Sequence, residues 1–197
     1  MQNYHLLIFV KNPVPGTVKT RIARTVGAER AVEVYRHLLA HTQQITRWLP
    51  WKRVVYYGDF INTTDGWSDY EKRIQVGDNL GERMKNAFAE QFAAGATRVL
   101  IIGSDCLGIQ PNHLRQAFDA LDGSDVVIGP ATDGGYYLIG MKQNIPSLFD
   151  NMPWSQSTLR TKTVEALEEH NVSHTLLEEL ADIDEWEEYV QQSGVAA

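Results

Sequence analysis

The chain has 197 residues, 43% of them apolar and 22% charged, and a net charge of −7. That balance suits a folded globular protein and excludes disordered and fibrous classes; the acidic charge, relieved only by a few cations around Lys19–Arg24, argues against general nucleic-acid binding. The lone cysteine, Cys106, excludes an internal disulfide, and the apolar run Leu6–Val10 is too short for a signal-peptide core or a membrane span, so a cytoplasmic protein of one domain over residues 1–197 is expected, with no membrane partner.

His5–Val10 (HLLIFV) reads as a first buried strand. It runs into a loop at 11–21, KNPVPGTVKTR, whose prolines stiffen it and whose Gly16 lets backbone approach a ligand closely. Lys11, Lys19 and Arg21 are then available to converge on phosphate, although Val18 stands where a Walker A loop has glycine. Ala28–Arg47 follows as an amphipathic helix with Ala31, Val34, Leu38, Thr42 and Ile45 on one face; Trp48 and Trp51 beyond it read as packing residues. Arg53–Tyr57 is a second strand, Gly58–Asp69 a polar loop and Ile74–Val76 a short strand. Asn79 with Glu82 has the spacing of a capping box for the next helix, which carries Gly81 in its first turn.

Val99–Ile102 runs without alternation and is rich in β-branched side chains, as a strand buried on both faces of a parallel sheet reads. Behind Pro111 an apolar periodicity of three and four opens a helix. Asp105 therefore lies just past the carboxyl end of a central strand, the edge at which open α/β sheets bind ligands, and an acid there can hold a divalent metal or simply cap the turn. Asp125–Gly129 and Tyr136–Met141 read as strands joined by a loop whose Asp133-Gly134-Gly135 is a turn signal by itself and also brings Asp133 to the same edge, with two glycines leaving room for a substrate. Ser155 suits the cap of a helix over Gln156–His170, and Trp154 beside it can pack on an acceptor or anchor its own loop. His174–Leu177 is a last strand, and Asp182 and Asp184 precede a closing helix, where each can serve as a metal ligand or as a helix cap.

Taken together and in order, FVKNPVPGTVKTR (9–21), QVGDNLGERM (75–84), LIIGSDC (100–106), GPATDGGYYLIG (129–140), PWS (153–155) and DIDEWEEY (182–189) resemble a bacterial glycosyltransferase-like family of the arsenosugar-biosynthesis type, within the nucleotide-diphospho-sugar transferases. The resemblance spans nearly the whole chain and implies an α/β, GT-A (Rossmann-like) mixed and mostly parallel sheet flanked by helices. It also implies a nucleotide sugar and a small-molecule acceptor as partners and Mg²⁺ or Mn²⁺ as cofactor. By this match Lys11, Gly16, Lys19 and Arg21 contact the nucleotide, Asp105 and Asp184 (with Asp182 as understudy) hold the metal, and Asp133, Gly134, Gly135 and Trp154 lie on the acceptor side, Asp133 as the catalytic candidate. Leu107 departs from the family, which usually has proline after the SDC triplet. The wider superfamily includes nucleotidyltransferases, whose basic first loop is close to GGxSxRxG; the loop here keeps only Gly16, which favours glycosyl transfer, while nucleotidyl transfer and a non-catalytic nucleotide-binding module stay open.

Overall fold

The computed structural model describes residues 3–194. Strands β1 (Tyr4–Val10), β2 (Lys52–Tyr57), β3 (Glu71–Ile74), β4 (Arg98–Ile102), β5 (Val126–Pro130), β6 (Tyr136–Met141) and β7 (His174–Leu176) form one sheet in the order β3-β2-β1-β4-β6-β5-β7. All pairings are parallel except those of β6, which runs antiparallel to both neighbours. Because side chains alternate across a strand, Leu6, Ile8 and Val10 of β1 enter the core on one face, while Leu7 enters the core on the other. Helices α1 (Thr20–Val26), α2 (Ala28–Thr46), α4 (Pro111–Ala120) and α6 (Trp186–Ser193) cover the first face; α3 (Leu80–Ala93), α5 (Leu159–Glu169) and a 3₁₀ turn at Pro146–Phe149 cover the second. The five expected apolar positions of α2 are all buried.

The chain leaves β1 toward β2 and β3 on one side and continues through β4 on the other. The strand order thus reverses between β1 and β4, opening a crevice at their carboxyl ends. The loops that leave these strands carry Lys19 and Asp105.

Several boundaries differ from the sequence reading. The third strand is Glu71–Ile74 rather than 74–76: it lies at the sheet edge, where charged side chains are favoured and apolar ones are not required, and Lys52 pairs with Glu71 at 2.9 Å. Residues 20–26 form a short helix with only Ile22 buried, too brief and too charged to show a period. Helix α5 starts at Leu159, because Ser155 adopts a φ of +61° and does not cap it. Trp51 packs on Phe118, but Trp48 is 83% exposed under the guanidinium of Arg47.

Asp125 ties the far end of the sheet together: its carboxylate accepts the Ser173 N–H at 3.1 Å and lies 3.1 Å from the Lys142 ammonium. The Ser173 hydroxyl and Lys142 hold its pKa below the ordinary 3.8. A carboxylate whose pKa is depressed by folding contributes stability in full above its unfolded value and loses it as pH falls through the folded value. Asp125→Asn is therefore expected to lower unfolding stability by about 1 kcal/mol at pH 7 and to flatten the acid limb below pH ~4, as read by urea melts across pH.

Candidate active site

Three segments meet at the crevice. After β1, the loop is pinned by Asn12, a buried side chain whose amide donates to Asp59 Oδ1 at 2.8 Å and to the Phe60 carbonyl at 2.7 Å. The Lys11 N–H donates to the Tyr35 hydroxyl at 2.9 Å, and that hydroxyl is 3.2 Å from Ser104 Oγ, so α2 couples the loop after β1 to the loop after β4. Gly16 sits at the exposed bend with φ +79°, and nothing lies within 4 Å of where its Cβ would stand. The loop ends at Lys19, the N-cap of α1, in the left-handed region with φ 43°.

Asp105 caps neither its own turn nor α4, whose cap is Gln110 with His113. A Cβ on Gly103 would lie 2.7 Å from Asp105 Oδ1, so the glycine makes space for this carboxylate. The third segment runs beside the end of β5, where Leu180 N–H donates to the Pro130 carbonyl at 3.0 Å, and reaches the β4 loop, where Ile183 N–H donates to the Asp105 carbonyl at 2.8 Å. These bonds bring Asp182 and Asp184 to Asp105. Neither acid caps the closing helix; Glu185 does, and the N–H groups of Asp184 and Glu185 both donate to Glu188.

The Lys19 ammonium stands 3.3 Å from Asp105 Oδ2 and 3.4 Å from Asp184 Oδ1, with its side chain only 8% exposed. Burial alone would lower its pKa, but Asp105 and Asp184 outweigh that and hold it above the ordinary lysine value. Arg21, on the first turn of α1, approaches Asp184 Oδ2 at 3.5 Å and Glu185 at 3.9 Å. Asp182 lies deeper: its Oδ1 is buried without a hydrogen-bond partner. Burial, then the charges of Asp105 and Asp133, push its pKa up to about 8. Cys106 donates to the Ala181 carbonyl, and burial, then Asp182, raise its thiol to about 12, so it is no nucleophile at neutral pH.

The structure puts Asp133 on the exposed turn between β5 and β6, near enough to act on Asp182, with its Oδ1 accepting the Gly135 N–H at 2.8 Å. Gly134 differs from expectation. A Cβ there would stand 2.0 Å from the Ser157 carbonyl oxygen, and its φ is +89°, so the residue is glycine because backbone packs against it rather than because a substrate needs the room. At Gly135 the nearest atom to a Cβ is Asp133 Oδ1, at 3.1 Å. Trp154 is half-buried: its indole stacks on Phe149 and lies where a Cβ of Gly81 would be, so it anchors its loop to α3. Lys11 is exposed.

One feature of this edge escaped the sequence reading. Val14, Phe60, Ile61, Val76 and Leu80 are exposed at 38%, 55%, 40%, 64% and 44%, and all five follow the carboxyl ends of β1, β2 and β3. Val14 and the Phe60–Ile61 pair stand out as apolar residues in otherwise polar loops, whereas Leu80 opens α3, where an apolar side chain gives no such signal.

Among the described residues no three His, Cys, Asp or Glu side chains surround one point as a ready-made metal site. The Lys19 ammonium occupies the space between Asp105 and Asp184. The donor set nevertheless fits a hard divalent ion: it is all oxygen, two carboxylates already share one cation, and Asp182, whose Oδ1 has no hydrogen-bond partner, is close enough to feel their charge.

Residues 39–156 match the family described as "Uncharacterized protein conserved in bacteria (DUF2064)". The chain belongs to this DUF2064 family. A solved protein from Desulfovibrio desulfuricans G20, whose assignment as a nucleotide-diphospho-sugar transferase is provisional, is 32% identical, with a TM-score of 0.88 over 97% of this chain and 87% of that one. The DUF2064 fold seen here is that of the nucleotide-diphospho-sugar transferases, as the sequence resemblance implied. CMP:2-keto-3-deoxy-manno-octonic acid synthetase, solved with CTP, shares the fold at 10% identity and a TM-score of 0.59, covering 98% of this chain and 99% of that one. Rv0371c of Mycobacterium tuberculosis H37Rv, solved with manganese, shares it at 13% identity and 0.56, with coverage of 98% and 99%. No curated protein matches the DUF2064 chain in sequence. Among its described residues no helix is long and apolar enough to cross a membrane.

Proposed function

We propose that the chain is a metal-dependent glycosyltransferase that moves a sugar from a nucleoside-diphosphate sugar to a small acceptor. The observation that carries this reading is the convergence of Asp105 and Asp184 on one cation at the strand-order reversal, with Arg21 beside them. The exposed apolar side chains after β1, β2 and β3 suit one face of a nucleobase, and Lys11 and the open bend at Gly16 suit the ribose and phosphates. Asp105 and Asp184 would hold Mg²⁺ or Mn²⁺, with Asp182 Oδ1 as a further oxygen. Bound there, the ion would offset the charge that builds on the departing diphosphate. Lys19 and Arg21 add positive charge to the same phosphates. Asp133 orients the acceptor hydroxyl and takes its proton, its carboxylate held by the Gly135 N–H, while Gly135 and the loop of Trp154 border the acceptor. The likeness of the ordered motifs to arsenosugar-biosynthesis glycosyltransferases supports sugar transfer over nucleotidyl transfer, and a cytoplasmic location goes with a soluble nucleotide donor.

A thermal-shift panel tests this: UDP, GDP, CDP, their sugars and the four nucleoside triphosphates, each with and without Mn²⁺. A diphosphate or its sugar should stabilise only with metal, by about 2.7 kcal/mol at ~100 times its dissociation constant. Stabilisation by a triphosphate alone, with release of pyrophosphate, would move the assignment to nucleotidyl transfer. Tight binding indifferent to metal and without turnover would leave a binding module.

A further inference from the structure

Lys19 combines features that a simple phosphate contact does not require. Its backbone is held in the left-handed region, a conformation costly for a residue with a side chain, yet its side chain makes no capping bond to α1. Its stem is buried, and its ammonium is aimed at the two carboxylates rather than outward. The backbone strain therefore sets a positive charge at one place, between Asp105 and Asp184.

We propose that Lys19 is an internal counter-cation that closes the carboxylate pair to a bare divalent ion, so that metal is taken up only together with a nucleoside diphosphate. The proposal rests on the transferase reading above and adds an order of binding to it. A divalent ion and an ammonium within contact distance of the same two carboxylates repel each other, although Asp105 and Asp184 are 40% and 39% exposed and water screens part of that repulsion. The lysine must leave before the metal can settle. Its four-carbon stem lets the charge move a few ångströms without moving the backbone, but a buried ammonium needs another anion to move to. Asp182 does not provide one, since it lies within the same acidic group that the metal needs. A diphosphate does: its oxygens would accept the ammonium and carry enough negative charge to hold a divalent ion beside Asp105 and Asp184. Arg21, 61% exposed, already approaches Asp184 from the solvent side and can follow the same phosphates without being displaced from a buried position.

Linkage makes the idea measurable, because a ligand that displaces Lys19 must raise metal affinity by the same factor by which metal raises its own. Binding of Mn²⁺ to the intact chain is read from the loss of the free-ion EPR signal, alone and with UDP, GDP or CDP, after subtracting the loss that the same nucleotide causes without protein. The wild type should bind Mn²⁺ weakly alone and at least about tenfold more tightly with the matching diphosphate. Lys19→Asn, a residue that tolerates the left-handed backbone, should bind Mn²⁺ alone at least about tenfold more tightly than wild type and gain little from diphosphate. Lys19→Gln serves the same purpose if the asparagine variant does not fold. Lys19→Arg keeps the counter-charge and should stay weak without nucleotide. If the uncharged variants bind bare Mn²⁺ no better than wild type while wild type still takes up metal with diphosphate, the counter-cation role is overturned and the transferase reading stands. If no variant binds Mn²⁺ under any of these conditions, both fall.

Discussion

Asp105→Asn is expected to abolish metal-dependent transfer while leaving the apo-protein folded. Residues that only support a metal's ligands cost about 10- to 100-fold when removed, so if Asp105 holds the metal as proposed its loss should lower turnover by at least about 100-fold. The effect on folding should be small for a specific reason. Asp105, Asp182 and Asp184 crowd around one buried lysine, and the charge of Asp105 is among those that raise the pKa of Asp182. Removing it breaks one contact to Lys19 but relieves that repulsion and leaves Asp184 to hold the ammonium. The melting temperature without metal should stay within about 5 °C of wild type, and the metal-dependent shift with diphosphate should vanish. A variant with full turnover would remove Asp105 from the mechanism.

Gly134→Ala is expected to be the more damaging change to the fold. A Cβ there meets the Ser157 carbonyl oxygen at 2.0 Å, a backbone atom that cannot rotate away, and φ is +89°. The Arg160 N–H donates to the Gly134 carbonyl at 2.9 Å, so a shift of the turn also pulls on the start of α5. Strained backbone costs about 1–3 kcal/mol and forced overpacking a similar amount, which together predict a loss of about 3 kcal/mol or more and a fall of about 6–12 °C in melting temperature. Gly16→Ala and Gly135→Ala are the controls. The first has a positive φ but open surroundings, and the second meets only the movable Asp133 carboxylate at 3.1 Å. Gly135→Ala should cost no more than about 1 kcal/mol, and Gly16→Ala only its backbone strain of about 1–2 kcal/mol, with no overpacking added. If Gly134→Ala melted with the controls, the turn bearing Asp133 would not be packed on Ser157 as described. The contrast separates a glycine required by backbone packing from glycines whose surroundings would accept a side chain.

Much of the architecture was legible because burial writes itself into pattern. The unbroken apolar runs of β1 and β4, the stripe along α2, and Asn79 as the cap of α3 each follow from local rules that need no partner. Elements that bury little were read less well. β3 is a charged edge strand and α1 buries one side chain, so neither displays a period. Trp154 is a further case: its sequence context allows an acceptor contact or a loop anchor, and the indole fills the space left by Gly81, 73 positions away in the chain.

That Asp105 follows a buried strand, and a basic loop the first one, can be read along the chain, because strand burial and the end of an apolar run are local properties. What those charges face depends on the folded chain. Lys19 lies 86 positions from Asp105 and 165 from Asp184, and only the order of strands in the sheet and the path of the last segment along β5 bring them within 3.4 Å. Read locally, Lys19 belongs with the cations awaiting phosphate; folded, it neutralises the carboxylates that would hold the metal. Coulombic energy depends on distance in space and on the water excluded between the charges, and neither quantity is carried by neighbours in the chain.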